Sequence, residues 1–159
     1  MALTEHCYSV LLVSASDKLT ASLRAMLPCD RYDPIVVAGD VASARRCLLE
    51  KSFDLLLINT PLPDEFGTHL AMDVCNSSGT GVLLLVRAEH FPDISARVSP
   101  YGILVLSKPT NGTILTQSLT LCCATRDRLR RMEEKAATME EKMEEIRLVN
   151  RAKWILIDE

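Results

Sequence analysis

The residues best placed for chemistry in this sequence carry a hydroxyl, an amide and an ammonium group. Ser14 and Ala15 follow one short apolar run, Asn59 follows a second, and Lys108 comes shortly after a third. An amide is a poor nucleophile, and it carries no negative charge for a divalent cation, whose usual ligands include carboxylates. No nucleophile–base pair, metal-ligand cluster or phosphate-binding loop stands elsewhere. We therefore expect no catalytic residue, no metal site and no cofactor, and an enzyme is the least expected class.

Composition narrows the class of protein further. With 159 residues, of which 48% are apolar, the chain has enough material for one compact domain with a core and an appendage. A net charge of −3 gives no electrostatic reason to expect binding to nucleic acid or to membranes. The apolar runs are far shorter than the ~20 residues of a spanning helix, and the N-terminus does not resemble a secretory signal. We expect a cytoplasmic protein without membrane contact.

Cysteine spacing supports a reducing compartment. The six cysteines form no Cys-x-x-Cys pair, and no histidine stands at zinc-binding distance from one of them. We therefore predict that they are mostly buried, small apolar side chains. They are Cys7, Cys29, Cys47, Cys75, Cys122 and Cys123.

Five short apolar runs alternate with segments of helical periodicity. Strands are predicted at 8–13, 34–38, 54–58, 81–86 and 102–106, and helices at 17–27, 41–51, 66–75, 92–98 and from about 110. This alternation predicts an α/β domain over residues 7–120. Its expected core is a doubly wound, five-stranded parallel sheet of order 2-1-3-4-5, a flavodoxin-like fold. The functional crevice of such a sheet lies at the carboxyl ends of strands 1 and 3, beside Ser14, Ala15 and Asn59.

The C-terminal part of the chain predicts a long helix with a coiled-coil seam. From 122 to 150 there is no proline or glycine, and we assign residues 121–150 to this helix. A heptad pattern places a mostly apolar stripe at the a and d positions. The dimer seam predicted from it is Leu129, Met132, Ala136, Met139, Met143, Ile146 and Asn150.

The charges beside this seam favour a parallel homodimer. In a parallel pair the g position of one helix faces the next e position of the other, which pairs Arg128 with Glu133, Lys135 with Glu140, and Lys142 with Arg147. The first two pairs are attractive and the third is repulsive, whereas an antiparallel pair would bring mostly like charges together. Two alternatives stay open, namely a single solvated helix held by i,i+4 pairs and a helix packed on its own domain.

Residues from Tyr8 to about Ser118 resemble the receiver domain of two-component response regulators. The resemblance rests on the order of elements, on the loop Leu62-Pro63-Asp64-Glu65-Phe66-Gly67, and on Ser107-Lys108-Pro109 after the fifth strand. Active receivers carry an acidic pair, a phosphoacceptor aspartate, a Ser or Thr after strand 4, an aromatic residue in strand 5 and a lysine. In this sequence the acidic pair falls on Ser14 and Ala15, and the phosphoacceptor falls on Asn59. The Ser or Thr position falls on Val86 or Arg87, the aromatic on Val105 and the lysine on Lys108.

This set of replacements implies a degenerate pseudo-receiver that is not phosphorylated, because just the lysine is retained. For Lys108 two possibilities are open: it fills the pocket and bonds to Asn59, or its charge is solvated. Asp17 is expected to cap the first helix. The first alternative to a pseudo-receiver is a phosphorylatable receiver that uses an atypical acid, Asp17 or Asp64. The second is a protein-interaction scaffold with no role in RNA binding.

The last residues are similar to the opening helix of the ANTAR domain, an RNA-binding module of transcription antitermination regulators. The matching positions are Arg147, Val149, Ala152, Lys153, Ile155 and Leu156, and Trp154 replaces the usual glycine. We expect 147–159 to be an incomplete opening segment of that module. The resemblance implies regulation by dimerisation or by a partner protein, with RNA bound through a complete C-terminal domain. From Arg126 onward nine basic and nine acidic residues cancel, so this chain alone should bind RNA weakly.

Overall fold

The computed structural model describes residues 7–157, and their side chains as far as residue 152. Five parallel strands form one sheet in the order β2-β1-β3-β4-β5, which confirms the predicted fold class. The strands are β1 (Tyr8–Val13), β2 (Tyr32–Ala38), β3 (Leu55–Asn59), β4 (Gly81–Arg87) and β5 (Leu104–Lys108). The helices are α1 (Asp17–Ala25), α2 (Val41–Glu50), α3 (Thr68–Ser77), α4 (Phe91–Val98) and the long C-terminal α5 (Gly112–Ile157).

The sheet is covered by apolar side chains on both faces, because successive residues of a strand point to opposite sides. On one face Leu57 and Leu85 pack with Leu23 of α1 and Leu115 of α5. On the other face alternate strand residues such as Ile58 pack against α2, α3 and α4. The central strands β1, β3 and β4 are almost wholly buried, which explains their continuous apolar runs.

The strands β3, β4 and β5 each end later than the sequence predicted, at Asn59, Arg87 and Lys108. Asn59 and Lys108 are the last residues of β3 and β5, rather than residues that follow those strands. The reason is continued pairing, because Asn59 lies opposite Leu85 of β4 and Lys108 lies opposite Arg87. Both side chains are thus held by sheet backbone, which is a more rigid support than a loop.

Two local predictions on the helices were wrong. Ser16, not Asp17, caps α1: its Oγ accepts a hydrogen bond from the Leu19 backbone N–H at 3.2 Å, and Asp17 occupies the first turn. The apolar periodicity of Val41, Ala44, Leu48 and Leu49 predicts that Leu49 faces inward on α2, but Leu49 is 87% exposed. Leu49 follows Leu48 directly, and adjacent positions of a helix point in directions about 100° apart.

The prediction that most cysteines are buried was also wrong. Just Cys122 and Cys123 of α5 are buried, whereas Cys47 and Cys75 are half-buried and Cys7 and Cys29 are exposed. The two exposed residues lie outside the helices and strands, in segments that the sheet does not cover. Burial raises the pKa of the Cys122 thiol to about 12, so this thiol is not a nucleophile at neutral pH.

The chain divides into two compact units, one ending at Arg126 and the other beginning at Asp127. The end of the first unit is tied to the sheet by a largely buried ion pair. Arg126 Nε lies 3.3 Å from Asp54 Oδ1, and Arg126 Nη1 donates to the Gly79 carbonyl. Asp54 Oδ2 also accepts from the backbone and hydroxyl of Ser9. Over the described residues, no helix combines the length and the apolar character needed to cross a membrane.

Candidate functional site

The candidate site lies at the carboxyl edge of the sheet, on the face covered by α1 and α5. In β1, β3, β4 and β5 the period-two alternation continues from buried or partly buried apolar side chains to a polar residue at or just after the end of the strand. The polar residues on this face are Ser14 after β1, Asn59 of β3, Arg87 of β4 and Lys108 of β5. Four neighbouring strands therefore bring together side chains that are far apart in the sequence.

A hydrogen-bonded chain links three of these side chains. Lys108 Nζ donates to Asn59 Oδ1 at 2.8 Å and to the Thr60 carbonyl. Asn59 Nδ2 donates to Ser14 Oγ at 3.2 Å, and that hydroxyl donates to the Ser16 carbonyl. Asn59 is 6% exposed, so its amide is shielded from water while its oxygen and its nitrogen each make a hydrogen bond. An asparagine fits this position because it can accept from Lys108 and donate to Ser14 at once, which a carboxylate cannot do.

Two cationic side chains, Lys108 and Arg87, lie at this edge. Burial lowers the pKa of Lys108, and the nearby Arg87 guanidinium lowers it further. The Lys108 ammonium bonds to two neutral oxygens, and among the described ion pairs none joins it to a carboxylate. Arg87 itself lies at the 4.0 Å limit of an ion pair with Glu89.

Solved structures of receiver domains share this architecture. The receiver domain of an HD-domain protein from Pseudomonas fluorescens Pf-5 is 22% identical, with a TM-score of 0.70 over 80% of this chain and 94% of that one. A CheY-like receiver domain from Methanospirillum hungatei JF-1 is 18% identical, with a TM-score of 0.68 over 77% of this chain and 98% of that one.

The chain has the receiver fold. A structure described as an adenylate cyclase from Rhodopirellula baltica also matches, at 18% identity and a TM-score of 0.72 over 80% of this chain and 96% of that one. These identities support the fold and nothing beyond it. No protein-family model and no curated protein matches the sequence.

The resemblance to receivers implies a Mg²⁺ site at this edge, and the residues present do not fit one. Mg²⁺ is usually held by one or two carboxylates together with water and phosphate oxygens. At the positions that the resemblance assigns to the acidic pair stand Ser14, whose hydroxyl is engaged, and Ala15, which has a methyl group. The Asn59 oxygen already accepts from the Lys108 ammonium. Within the described residues, no group of three or more His, Cys, Asp or Glu side chains could hold a metal.

The strand register distinguishes the two candidates for the position after strand 4 by the face of the sheet on which each lies. The sequence left Val86 and Arg87 open as equivalents of the Ser or Thr of active receivers. Val86 is fully buried on the α2, α3 and α4 face, whereas Arg87 lies on the same face as Asn59 and Lys108. The period-two alternation of β4 was the signal in the sequence that places Arg87 on this face. Val105, at the place of the usual aromatic, packs partly buried on the opposite face.

Asp64 has a structural role that the sequence did not predict. Its Oδ1 accepts from the Val41 backbone N–H and its Oδ2 from that of Ala42, both at 3.0 Å, so it caps α2 from the loop after β3. Asp40 adds a cap through the Ser43 N–H at 2.7 Å. These backbone hydrogen bonds lower the pKa of Asp64. No local sequence signal marks a cap that comes from another loop, so this contact was missed.

The predicted dimer seam lies on α5 in the second unit. Its large apolar side chains are exposed within the single chain, with 63% exposure for Met139 and 59% for Ile146. Ala136 and Asn150 are exposed as well. Of the ANTAR-like positions, Arg147, Val149 and Ala152 are exposed, and the side chains of Lys153, Trp154, Ile155 and Leu156 lie outside the described residues.

Proposed function

We propose that this chain is a pseudo-receiver: a receiver fold that acts through its surfaces and is not phosphorylated. The observation that carries the proposal is the Asn59 amide, bonded on one side to Lys108 and on the other to Ser14. A receiver that accepts a phosphoryl group needs a carboxylate at this position and further carboxylates that hold a divalent cation beside it. Neither requirement is met here, because the acceptor is an amide and Ser14 and Ala15 stand at the positions of the acidic pair.

The two alternative acids, Asp17 and Asp64, are no better suited to carry a phosphoryl group. Asp64 uses both carboxylate oxygens to bind the N-terminus of α2, so phosphorylation would break that cap. Asp17 lies in the first turn of α1, beyond the capping residue Ser16. We therefore do not propose Asp17 or Asp64 as a phosphoacceptor. Detection of phosphate on either residue would support the alternative, a phosphorylatable receiver with an atypical acid.

The output of the domain is proposed to pass through a parallel homodimer of α5. Five large seam residues are exposed in the single chain: Leu129, Met132, Met139, Met143 and Ile146. A contiguous apolar surface of this kind is typical of an interaction site. Burying each such side chain contributes about 1.5–3 kcal/mol, which favours a covered seam.

The flanking charges favour a second copy of the same chain as the occupant of the seam. Arg128 and Lys135 would meet Glu133 and Glu140 of the second copy in a parallel pair. The repulsive contact, Lys142 with Arg147, is softened because Arg147 Nη1 lies 3.5 Å from Glu144 of its own helix. Signs of charge select orientation even where each exposed pair contributes little free energy.

The biological setting proposed for this dimer is transcription antitermination in the cytoplasm. The proposal rests on the ANTAR-like residues Arg147, Val149 and Ala152, together with their place after a receiver fold and a heptad helix. RNA would be bound through a complete C-terminal domain, of which 147–159 form the opening segment. The signal would reach the receiver fold through a regulatory protein partner or through the dimer itself.

Light scattering on the purified chain tests the dimer and its independence of phosphate. We expect a dimer mass that does not change after incubation with Mg²⁺ and acetyl phosphate. Met139→Glu should give a monomer, whereas Ala137→Glu, an exposed b position outside the seam, should leave the dimer intact. A wild-type monomer mass at every concentration would contradict the seam, and a mass that changes with phosphodonor would contradict the pseudo-receiver.

A gel-shift titration separates the antiterminator from a scaffold without an RNA role. Residues from Arg126 onward carry balanced charge, so this chain should bind an RNA hairpin weakly or not at all. A longer chain with two further helices should bind a hairpin with strong salt dependence. Equal, weak binding by both chains would favour the scaffold.

A further inference from the structure

A cavity of about 440 Å³ lies between α2 and α3, at the opposite edge of the sheet from Asn59. Its buried lining residues include Phe53 and Thr80, which come shortly before β3 and β4 and therefore mark the amino edge of the sheet. Thr80 Oγ1 donates to the Phe53 carbonyl at 2.8 Å, which ties the two segments together. Small-molecule sites have volumes of about 300–1,000 Å³, so this cavity has the size of a ligand site.

The wall of the cavity is mainly apolar. Its aliphatic and aromatic lining residues are Leu48, Leu49, Phe53, Leu70 and Val74. The hydroxyls of Ser77, Ser78 and Thr80 each donate to a backbone carbonyl, so their protons are already used. Leu49 is 87% exposed and extends the apolar wall toward solvent. A ligand of this cavity therefore needs an apolar body, which would also cover Leu49.

The charges beside the cavity are mainly positive. Arg45 lines the cavity and bonds to Asp73 Oδ2 through Nη2 at 2.9 Å, and both side chains are about half exposed. Among the described contacts Arg45 has no other partner, so N–H groups of its guanidinium remain open to a ligand. Lys51 Nζ lies 4.9 Å from the centroid of the Phe53 ring, and no described ion pair includes it. Two cations against one carboxylate complement an anionic head group.

We propose that this cavity binds a small monocarboxylate with an apolar chain, such as a medium-length fatty acid. The chain would lie among the apolar lining residues, and the carboxylate would accept charge-assisted hydrogen bonds from Arg45. An ammonium head group would be repelled by Arg45 and Lys51, and a neutral one would gain less. The inference goes beyond the proposed function, because the cavity shares no residue with the pocket around Asn59.

A titration with sodium hexanoate, followed by the NMR methyl signals of Leu49, Leu70 and Val74, tests the site. Sodium chloride keeps the ionic strength constant. We expect saturable shifts at these methyl groups. Butanoate should bind about fifteenfold more weakly, because each buried methylene contributes roughly a fourfold gain in affinity. 1-Hexanol and hexylammonium share the same chain and test the head group, and both should bind more weakly than hexanoate.

Variants at the rim separate the two parts of the site. Arg45→Met should weaken hexanoate binding roughly fivefold to tenfold and leave the binding of 1-hexanol unchanged. Arg46→Met is the matched control, because Arg46 is the next exposed residue of α2 and bonds to Ser43 Oγ. Ser52→Trp should fill the entrance and abolish binding, whereas Ser22→Trp on α1 should have no effect. All four substituted residues are exposed, so the variants should fold, and their spectra check this.

Four results would overturn the site. The first is the absence of saturable shifts at the lining methyl groups, and the second is hexylammonium binding as tightly as hexanoate. The third is equal weakening by Arg45→Met and Arg46→Met, and the fourth is equal effects of Ser52→Trp and Ser22→Trp. None of these results involves a phosphodonor or the Asn59 pocket, so failure of this site is distinct from failure of the proposed function.

Discussion

Lys108 Nζ lies 2.8 Å from Asn59 Oδ1, so the cation of β5 and the amide at the end of β3 close the pocket between them. Asn59 in turn reaches Ser14 after β1, and three strands are joined by neutral and positive groups alone. In an active receiver the lysine would meet negative charge at this place. Here its contacts are satisfied without any covalent or metal trigger.

Removing the Lys108 ammonium should destabilise the domain. Lys108→Met leaves the buried Asn59 oxygen without its donor, and an unsatisfied buried acceptor costs about 1–3 kcal/mol. Urea unfolding measures this change. Lys18→Met on the exposed surface of α1 is the control and should have little effect. Equal losses in both variants would show that the Lys108 contact does not stabilise the pocket.

Asn59→Asp should not restore a phosphorylation site. The aspartate would accept from Lys108 as an ion pair, but it would lose the hydrogen bond that Asn59 donates to Ser14. The acidic pair would still be missing, because Ser14 and Ala15 are unchanged. We expect no phosphoryl mass after treatment with Mg²⁺ and acetyl phosphate. Phosphorylation of this single variant would mean that the remaining pocket is more competent than its residues indicate.

The Asp64 cap should make stability depend on pH in the acid range. Backbone hydrogen bonds lower the pKa of Asp64 below its ordinary value near 3.8, so the folded state holds the proton less tightly than the unfolded state. The stabilisation is therefore present above pH 3.8 and is lost as pH falls through the lower folded pKa.

Asp64→Asn tests this in urea titrations at several pH values. The variant should be less stable than wild type at neutral pH, and the difference should shrink on acidification. Glu65→Gln in the same loop is the control and should show no such trend. A constant difference across the whole range would argue against the charged cap.

The Asp54–Arg126 pair should stabilise the end of the first unit. Both side chains are largely buried, with 13% and 15% exposure, so loss of either leaves its partner poorly solvated. We expect Arg126→Ala to cost roughly 2 kcal/mol in urea unfolding. In a double-mutant cycle with Asp54→Ala the two effects should be less than additive. Full additivity would show that the two side chains do not depend on each other.

Charge reversal in the seam should report helix orientation. Lys135→Glu would place a glutamate against Glu140 of the second copy and weaken the dimer. With two such contacts in a dimer and ~0.2–1 kcal/mol for each, we expect roughly a twofold to thirtyfold rise in the dissociation constant. Adding Glu140→Lys should restore the affinity of a parallel dimer. Sedimentation equilibrium measures both variants, and absence of rescue would favour an antiparallel or unpaired helix.

Local patterns in the sequence were enough to predict the fold. Alternating apolar runs and helices predicted the parallel sheet and its strand order, because few right-handed connections of such units are possible. The same alternation predicted that Ser14 and Asn59 lie at one edge of the sheet, where the parallel strands end. Burial on both faces of the central strands is a strong constraint, so a single sequence was informative there.

Contacts between distant segments could not be predicted in the same way. The Asp64 cap on α2 and the Arg126 contact with Asp54 depend on how loops and helices meet in space. Neither residue differs locally from an ordinary surface charge. Leu49 was misassigned for a related reason. Periodicity identifies the apolar face of a helix, but it does not show how much of that face the neighbouring elements cover.

Intact-mass spectrometry of the wild-type chain after incubation with Mg²⁺ and acetyl phosphate tests the central claim most directly. A phosphoryl group adds about 80 Da and would be expected on a carboxylate in an active receiver. The closed pocket of Ser14, Asn59 and Lys108 predicts an unchanged mass. A gain of about 80 Da, mapped by peptide analysis to Asp17, Asp64 or another carboxylate, would contradict it.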